Sequence, residues 1–318
     1  MAYLVTGGTG FIGAYVVRDL LSAGKEVVCF DVSDITPFMR ELIPEKDLKK
    51  VKVVQGSIAD TFLLFKIVRE HNVDLMVHLA YALHPPSEEP MIALQANLLG
   101  TFNAFEAAWL FKLRRLVWTS SSSVFGKMRQ SWGDEAIPDD TPYFQPTRLY
   151  GACKILNEFT AGLYLERFGV DSIGLRLGRI YGMGKLLGGG GAFTRFLRDA
   201  ALNVPVTIQN GSAMWPYAYP EDVATAIVKA CEVPTTKTKV FNLSDGDEYN
   251  GWQLAEVIKK VNPNAKVTVE PGVDVYNTPK FDITGIKKEL GWSPQYTLEK
   301  GLREVFNYFR QKEGLPPL

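Results

Sequence analysis

Tyr150 and Lys154 stand four residues apart in the segment Tyr150-Gly151-Ala152-Cys153-Lys154. On a helix, that spacing puts a phenol and an ammonium on one face. A phenol ionises near pH 10 and is a poor base at neutral pH, but a neighbouring positive charge favours the phenolate. Lowering its pKa by about three units takes roughly 4 kcal/mol of differential stabilisation. A phenol so tuned can take a proton from a hydroxyl group. The same Tyr/Lys spacing occurs five times in the chain. Tyr181/Lys185 lies among glycines, and Tyr276/Lys280 contains Pro279, which breaks a helix. Tyr296/Lys300 and Tyr308/Lys312 lie far along the chain from the other reactive groups. Only Tyr150 opens a segment of helical period, in which Ile155, Leu156, Phe159, Leu163 and Tyr164 read as a buried stripe.

A second group is the serine cluster Ser120-Ser121-Ser122-Ser123, which follows the strand-like run Leu116–Ser120. That places it at the carboxyl edge of a sheet, where open α/β folds bind ligands. A serine there can hold a substrate hydroxyl beside the Tyr150 phenol. A third group is Thr6-Gly7-Gly8-Thr9-Gly10-Phe11-Ile12-Gly13, between a short apolar strand and a helix. Its glycines permit a tight turn and close approach of a pyrophosphate to the helix N-terminus. Asp31 ends the second strand, 18 residues after Gly13. It fits the acidic residue that binds an adenosine ribose about 20 residues after the loop. Its charge would repel a 2′-phosphate, and no arginine lies between Asp31 and Arg40, so NAD is expected rather than NADP.

The elements that must position these groups alternate. Strands are read at Tyr3–Thr6, Glu26–Val32, Val51–Gln55, Asp74–Ala80, Leu116–Ser120 and Ser172–Leu177, and a helix at Phe11–Ala23. This alternation predicts an α/β fold, a Rossmann-type doubly wound parallel sheet. After Gly182 the texture changes. Gly188–Gly191 reads as a mobile loop, Val204–Ile208 and Lys266–Glu270 as short strands, and Leu254–Val261 and Leu298–Phe309 as helices. Val240–Leu243 is read as returning to the main sheet. The chain thus divides into a dinucleotide-binding unit and a smaller, interleaved C-terminal substrate lobe. The first comprises residues 1–182 with about 218–250, the second about 183–217 and 251–318.

At 318 residues the chain is near the size at which a single core stops growing. With 46% hydrophobic and 22% charged residues it is an ordinary globular composition, not a disordered one. Thirty-five basic residues balance 35 acidic ones, which argues against nucleic acid or an anionic membrane as partner. Three scattered cysteines and three histidines form no disulfide framework and no metal spacing, so no metal is expected. No apolar run has membrane-spanning length, and no signal peptide is seen, so the expected location is cytoplasmic.

With these motifs in order, the whole chain resembles the extended short-chain dehydrogenase/reductase superfamily, the NAD-dependent epimerase/dehydratase group. The likeness rests on TGGTGFIG at 6–13, Asp31, HLA at 78–80, Asn97 in NLLGT, SSSSVFG at 120–126, PTRLYGACK at 146–154 and LRLGRIYG at 175–182. It continues through EDVA at 221–224, VFNLSDG at 240–246 and LGWSP at 290–294. The resemblance implies Ser121, five residues before Gly126, as the catalytic serine, Tyr150 as acid/base and Lys154 as its partner. For NAD it implies Gly7, Gly10, Phe11, Ile12, Gly13 and Asp31, then Ser57, Ile58, Leu79, Ala80, Tyr81 and Asn97, then Thr119, Tyr150, Lys154 and Leu177. Ser121, Ser122, Ser123, Arg179 and Trp215 are the implied substrate contacts.

The chain also departs from the group. Arg179 stands where nucleotide-sugar enzymes usually carry an asparagine. Met214–Tyr219 lacks the usual arginine, and so does the neighbourhood of Pro279–Asp282. Those arginines grip a substrate diphosphate. Their absence favours an NAD-dependent oxidoreductase acting at a secondary alcohol of a sugar, sugar acid or small hydroxy compound, with Arg179 facing a carboxylate. The alternatives are a nucleotide-sugar 4-epimerase or dehydratase with tightly held NAD, a threonine-dehydrogenase-like enzyme, and a non-catalytic NAD-sensing protein. Finally, Leu98–Leu113 is apolar on more than one side, with Phe102, Phe105 and Trp109 on one stripe. The group often pairs this helix and the Tyr150 helix across a two-fold axis, which predicts a homodimer.

Overall fold

The computed structural model describes residues 2–82, 90–184, 191–273 and 276–318. Six parallel strands carry the first half of the chain: β1 (Ala2–Thr6), β2 (Glu26–Asp31), β3 (Lys52–Gln55), β4 (Val73–His78), β5 (Arg115–Ser121) and β6 (Ser172–Leu177). The strand Val240–Leu243 joins them beside β6, giving the order (240–243)-β6-β5-β4-β1-β2-β3. The order in which the strands are laid down reverses between β1 and β4, which is the position where such sheets open a ligand crevice.

The sheet is covered on both faces because its strands are apolar on both. Along β1, Tyr3 and Val5 join one core with the helices Phe11–Ser22, Pro220–Glu232 and Thr284–Leu290. Ala2 and Leu4 face the other, with Thr61–Glu70, Gly100–Leu110 and Leu149–Phe168. A third core packs Leu197, Ile258, Leu302 and Phe306 between the helices Gly191–Ala201, Gly251–Val261 and Leu298–Lys312. Two small sheets accompany it: Arg179–Ile180 with Trp215–Ala218 and Glu248–Tyr249, and Val206–Ile208 with Val267–Val269. Of the glycine run read as a loop, Gly191 opens a helix and Gly188–Gly190 lie outside the described residues.

Two sequence expectations are reversed by packing. Leu156, Phe159 and Leu163 are not the buried stripe of the Leu149–Phe168 helix; Phe159 is 66% exposed. The buried face carries Gly151, Lys154, Asn157, Thr160, Ala161 and Tyr164 instead. Small and polar residues lie inward because this face serves the carboxyl edge of the sheet. Nor do Phe102, Phe105 and Trp109 share a stripe: Phe105 is buried against Trp118 and Tyr164, while the other two are exposed.

A buried ion pair pins the Leu149–Phe168 helix to β6. Arg176 donates from Nε and Nη2 to the two carboxylate oxygens of Glu158 at 2.9 and 2.8 Å, and Ser120 Oγ donates to Glu158 Oε1 at 2.6 Å. Removing one charge strands the other in the interior. Glu158→Gln is therefore expected to cost about 3 kcal/mol in urea unfolding, and the double replacement Glu158→Leu with Arg176→Met to recover most of it.

Candidate active site

The loop after β1 is built by sterics. Gly7 has φ +71°, and its amide donates to Phe30 O at 2.8 Å. A Cβ on Gly13 would stand 2.1 Å from Gly7 O, so the first turn of the helix can lie against the loop only without a side chain there. Gly10 caps that helix with no side-chain bond, and no acidic residue occupies the first turn. The helix end thus retains its partial positive charge. Asp31 closes the far side, accepting from Thr9 N at 3.1 Å and Ser33 N at 3.2 Å. Two lone-pair positions of its carboxylate are engaged this way, and the rest are open to a diol. Uncapped amides beside a carboxylate suit a dinucleotide's diphosphate and ribose.

Next along the edge is the segment after β4. Leu79 N donates to Thr6 O at 3.0 Å and Ala80 N to Thr6 Oγ1 at 3.3 Å. Asn97 clamps Ala82 through both its amide atoms, at 2.7 and 3.0 Å. Its side chain therefore holds backbone. Ile58 packs against Gly100, and Ser57 Oγ accepts from Ala59 N at 3.2 Å. His78 lies between Thr6 and Thr101, at 2.8 and 3.2 Å, and burial pushes its imidazole down to about 3, so it is neutral.

The reactive groups meet at the end of β5. Ser121 is paired in register with Leu177 of β6. Its hydroxyl accepts from Ser123 N and donates to Ser123 Oγ, both at 3.1 Å, and it lies close enough to the Tyr150 phenol to favour the phenolate. Ser122 is buried in the turn. Tyr150 lies in the first turn of its helix, and Gly151 lets that turn press on the serines: a Cβ there would be 2.4 Å from Ser123 O. Lys154, one turn on, donates from Nζ to Thr119 O at 2.7 Å. Burial pushes Tyr150 up to about 12, opposed by the nearby Ser121 hydroxyl, and pushes Lys154 down to about 7, opposed by Cys153 and Glu158. Burial thus opposes the charged form of both groups.

In the C-terminal lobe a cavity of about 310 Å³ is lined by Arg179, Phe193, Phe196, Trp215 and Tyr217 among others. The Arg179 guanidinium is stacked between Phe193 and Trp215, with ring centroids at 4.3 and 4.6 Å, and its charge favours the ionised form of the buried Tyr217 phenol against desolvation. No carboxylate pairs with it among the described residues. Trp215 of the lining packs on Tyr276 at 5.5 Å, and Tyr276 acts electrostatically on Tyr150. Lys280, in the Pro279–Asp282 stretch that lacks the usual arginine, pairs with Asp247 at 3.2 Å. Tyr276, Phe193 and Glu158 were not singled out from sequence. Glu158 had a signal, since it follows Lys154 by four residues on one helix face. Tyr276 and Phe193 had none.

Among the described residues, no group of His, Cys, Asp and Glu side chains could hold a metal ion, and no helix is long and apolar enough to cross a membrane.

A family model described as the NAD dependent epimerase/dehydratase family matches residues 3–244. The UDP-glucose 4-epimerase of Lactobacillus helveticus is 28% identical, over 93% of each chain. The dTDP-glucose 4,6-dehydratase of Streptomyces niveus is 29% identical over 99% of this chain and 94% of its own. The fold is that of the UDP-glucose 4-epimerase of Thermus thermophilus, solved in complex with NAD, with TM-score 0.82 and 24% identity over 98% and 99% of the two chains.

Lys154 gives the site a pH signature. Its amine titrates at about 7 folded against 10.5 in a free lysine. Between those values the unfolded chain binds more protons, so stability due to Lys154 rises with pH across the window. Lys154→Met should raise the unfolding temperature by roughly 5 °C at about pH 6, with the gap to wild type closing as pH rises toward 10. Scanning fluorimetry across pH reads this directly.

Proposed function

The chain belongs to the NAD dependent epimerase/dehydratase family, and on that premise we propose that Ser121, Tyr150 and Lys154 carry NAD-dependent hydride transfer at a secondary alcohol of a sugar, sugar acid or small hydroxy compound. The observation that carries the proposal is the meeting of Ser121 and the Tyr150 turn at the end of β5, with Lys154 one turn behind on Thr119 O. Bound NAD supplies the hydride acceptor and, when oxidised, a positive ring charge. The loop Gly7–Gly13 with the first amides of Phe11 and Ile12 holds its diphosphate, and Asp31 its adenosine ribose. Ser57, Ile58, Leu79, Ala80 and Asn97 wall the adenosine side; Tyr81, Thr119 and Leu177 wall the reactive side. The dinucleotide belongs to residues 1–182 with about 218–250, and the substrate lies between this unit, at Ser121 and Arg179, and the lobe of about 183–217 and 251–318.

The chain's own steps follow from geometry. Ser121 fixes the substrate hydroxyl at the Tyr150 oxygen, with Ser122 and Ser123 shaping the turn. Tyr150 takes the hydroxyl proton as the carbon is oxidised, or returns it in the reverse direction. The helix N-terminus at Tyr150 and the Lys154 ammonium both stabilise the phenolate. Arg179 holds an anionic group of the substrate. Its two faces are covered by Phe193 and Trp215, so only its edge is free, which suits a planar carboxylate bound by two parallel N–H donors. A sugar acid meets all of these features. Three unpaired, buried cysteines support a cytoplasmic enzyme.

The same proposal includes a homodimer. Leu149, Leu156, Phe159 and Leu163 form an exposed apolar row on the Tyr150 helix, and Phe102 and Trp109 continue it on the neighbouring helix. Packing this row against its own copy removes it from water.

Purified protein with NAD and a panel of sugars, sugar acids and amino alcohols should produce NADH with the sugar acids. Tyr150→Phe should lower turnover at least about a hundredfold. Arg179→Leu should raise KM for acids about tenfold or more while leaving that for neutral sugars unchanged. Denaturing the purified protein should release well under one NAD(H) per chain; a full equivalent would mark a cofactor recycled within each turnover. In light scattering at micromolar concentration, wild type should be dimeric and Phe159→Glu monomeric.

A further inference from the structure

The amine of Lys154 has no carboxylate counter-ion among the described residues. It lies 3.5 Å from the centroid of the Tyr81 ring, much closer than the 5.8 Å to the ring of Tyr150. The neighbouring acid, Glu158, sits one turn along but is held by both oxygens to Arg176 and by Ser120. The other groups facing the amine are the Thr119 carbonyl of β5, His78 at the end of β4, and Cys153 and Tyr150 on its own helix. His78 is neutral, and the cysteine and both tyrosines are held in their protonated forms by burial. Among these groups, the only concentrated negative density beside the amine, other than one carbonyl oxygen, is therefore the face of the Tyr81 ring.

That ring is fixed. Its neighbours Leu79 and Ala80 are tied to Thr6, and Ala82 is tied at both its amide and its carbonyl to Asn97. The ring also meets Tyr150 edge-on, with centroids 5.4 Å apart and planes at 85°. One aromatic side chain therefore touches both members of the Tyr150–Lys154 pair.

We propose that Tyr81 is a positioning residue of this pair, whose ring face holds the Lys154 amine in place and in its charged form. The attraction between a cation and a ring quadrupole is strongest where water is excluded, as it is here. The ring supplies it without a formal negative charge. A carboxylate in the same place would also stabilise the ammonium but would oppose a phenolate on Tyr150. A neutral ring face favours the first charge without penalising the second in this way. The proposal rests on the assignment of Tyr150 and Lys154 above, and the two fail separately, because the test needs neither substrate nor dinucleotide.

The protein is labelled with lysine carrying ¹³C at Cε, and the Lys154 signal is assigned by its loss in Lys154→Met. In wild type, the Lys154 Hε signals should lie upfield through the ring current of Tyr81, and should move on titration near neutral pH or above. Tyr81→Phe keeps the face and should titrate within a few tenths of a unit of wild type. Tyr81→Leu should titrate about one unit lower, a tenfold loss of proton affinity. The alkaline limb of turnover should move down by the same amount once a substrate is in hand. An unchanged Lys154 titration in Tyr81→Leu overturns the proposal. So do Lys154 Hε signals at ordinary positions in wild type, a measurement that stands even where the leucine variant fails to fold.

Discussion

A lysine amine buried on a backbone carbonyl is the constraint from which the site follows. Lys154 Nζ donates to Thr119 O at 2.7 Å, and the side chain is 3% exposed. An amine taken from water at this depth must find partners or lose its proton. Its partners come from three parts of the chain: the end of β5, the segment after β4, and its own helix. These can converge only because the Leu149–Phe168 helix lies close on the sheet. That closeness requires Gly151 at the serine turn and small residues at Cys153, Thr160 and Ala161. The Glu158–Arg176 pair on β6 then locks the helix from the far side.

The parallel order of the sheet does the rest. With β5 beside β4 and β4 beside β1, the carboxyl ends of three strands lie side by side. One presents the glycine loop, the next the Leu79–Ala82 segment, the third Ser121. Three stretches far apart in sequence thus form one edge. His78 is buried and neutral between Thr6 and Thr101, and it ties β1 to β4 at that edge.

What could be read before the fold was seen is what local chemistry determines. The strand runs, the uncapped helix after Gly10, Asp31 at the end of β2, and the Tyr150/Lys154 spacing are all local, and each was placed within a residue or two. What could not be read depends on which way a helix turns. Ile155, Leu156, Phe159, Leu163 and Tyr164 have the period of a buried stripe, yet three of them point outward. Hydrophobicity marks a face to be covered but does not say by what. Here chemistry claims the inward face, so the oily row faces away from the sheet. The stacking of Arg179 was hidden for a related reason. A lone arginine in sequence suggests an acid partner, and the structure gives it two aromatic faces instead.

The two faces of the Tyr150 helix therefore have opposite tasks, and their opposition has a mechanical consequence. The inward face carries the phenol and the amine. The outward row begins at Leu149, the residue before Tyr150, and runs through Leu156 and Phe159 on either side of Glu158. Whatever covers that row presses on the same backbone turns that set the Tyr150 phenol against Ser121. Packed on one side only, the helix is held over the serines near Tyr150 by small residues such as Gly151, with Tyr164 and the Glu158–Arg176 pair further along. Packed on both sides, it has its position over the serines fixed by large apolar contacts as well. Placement of the phenol would then be tied to coverage of a surface that never touches the substrate.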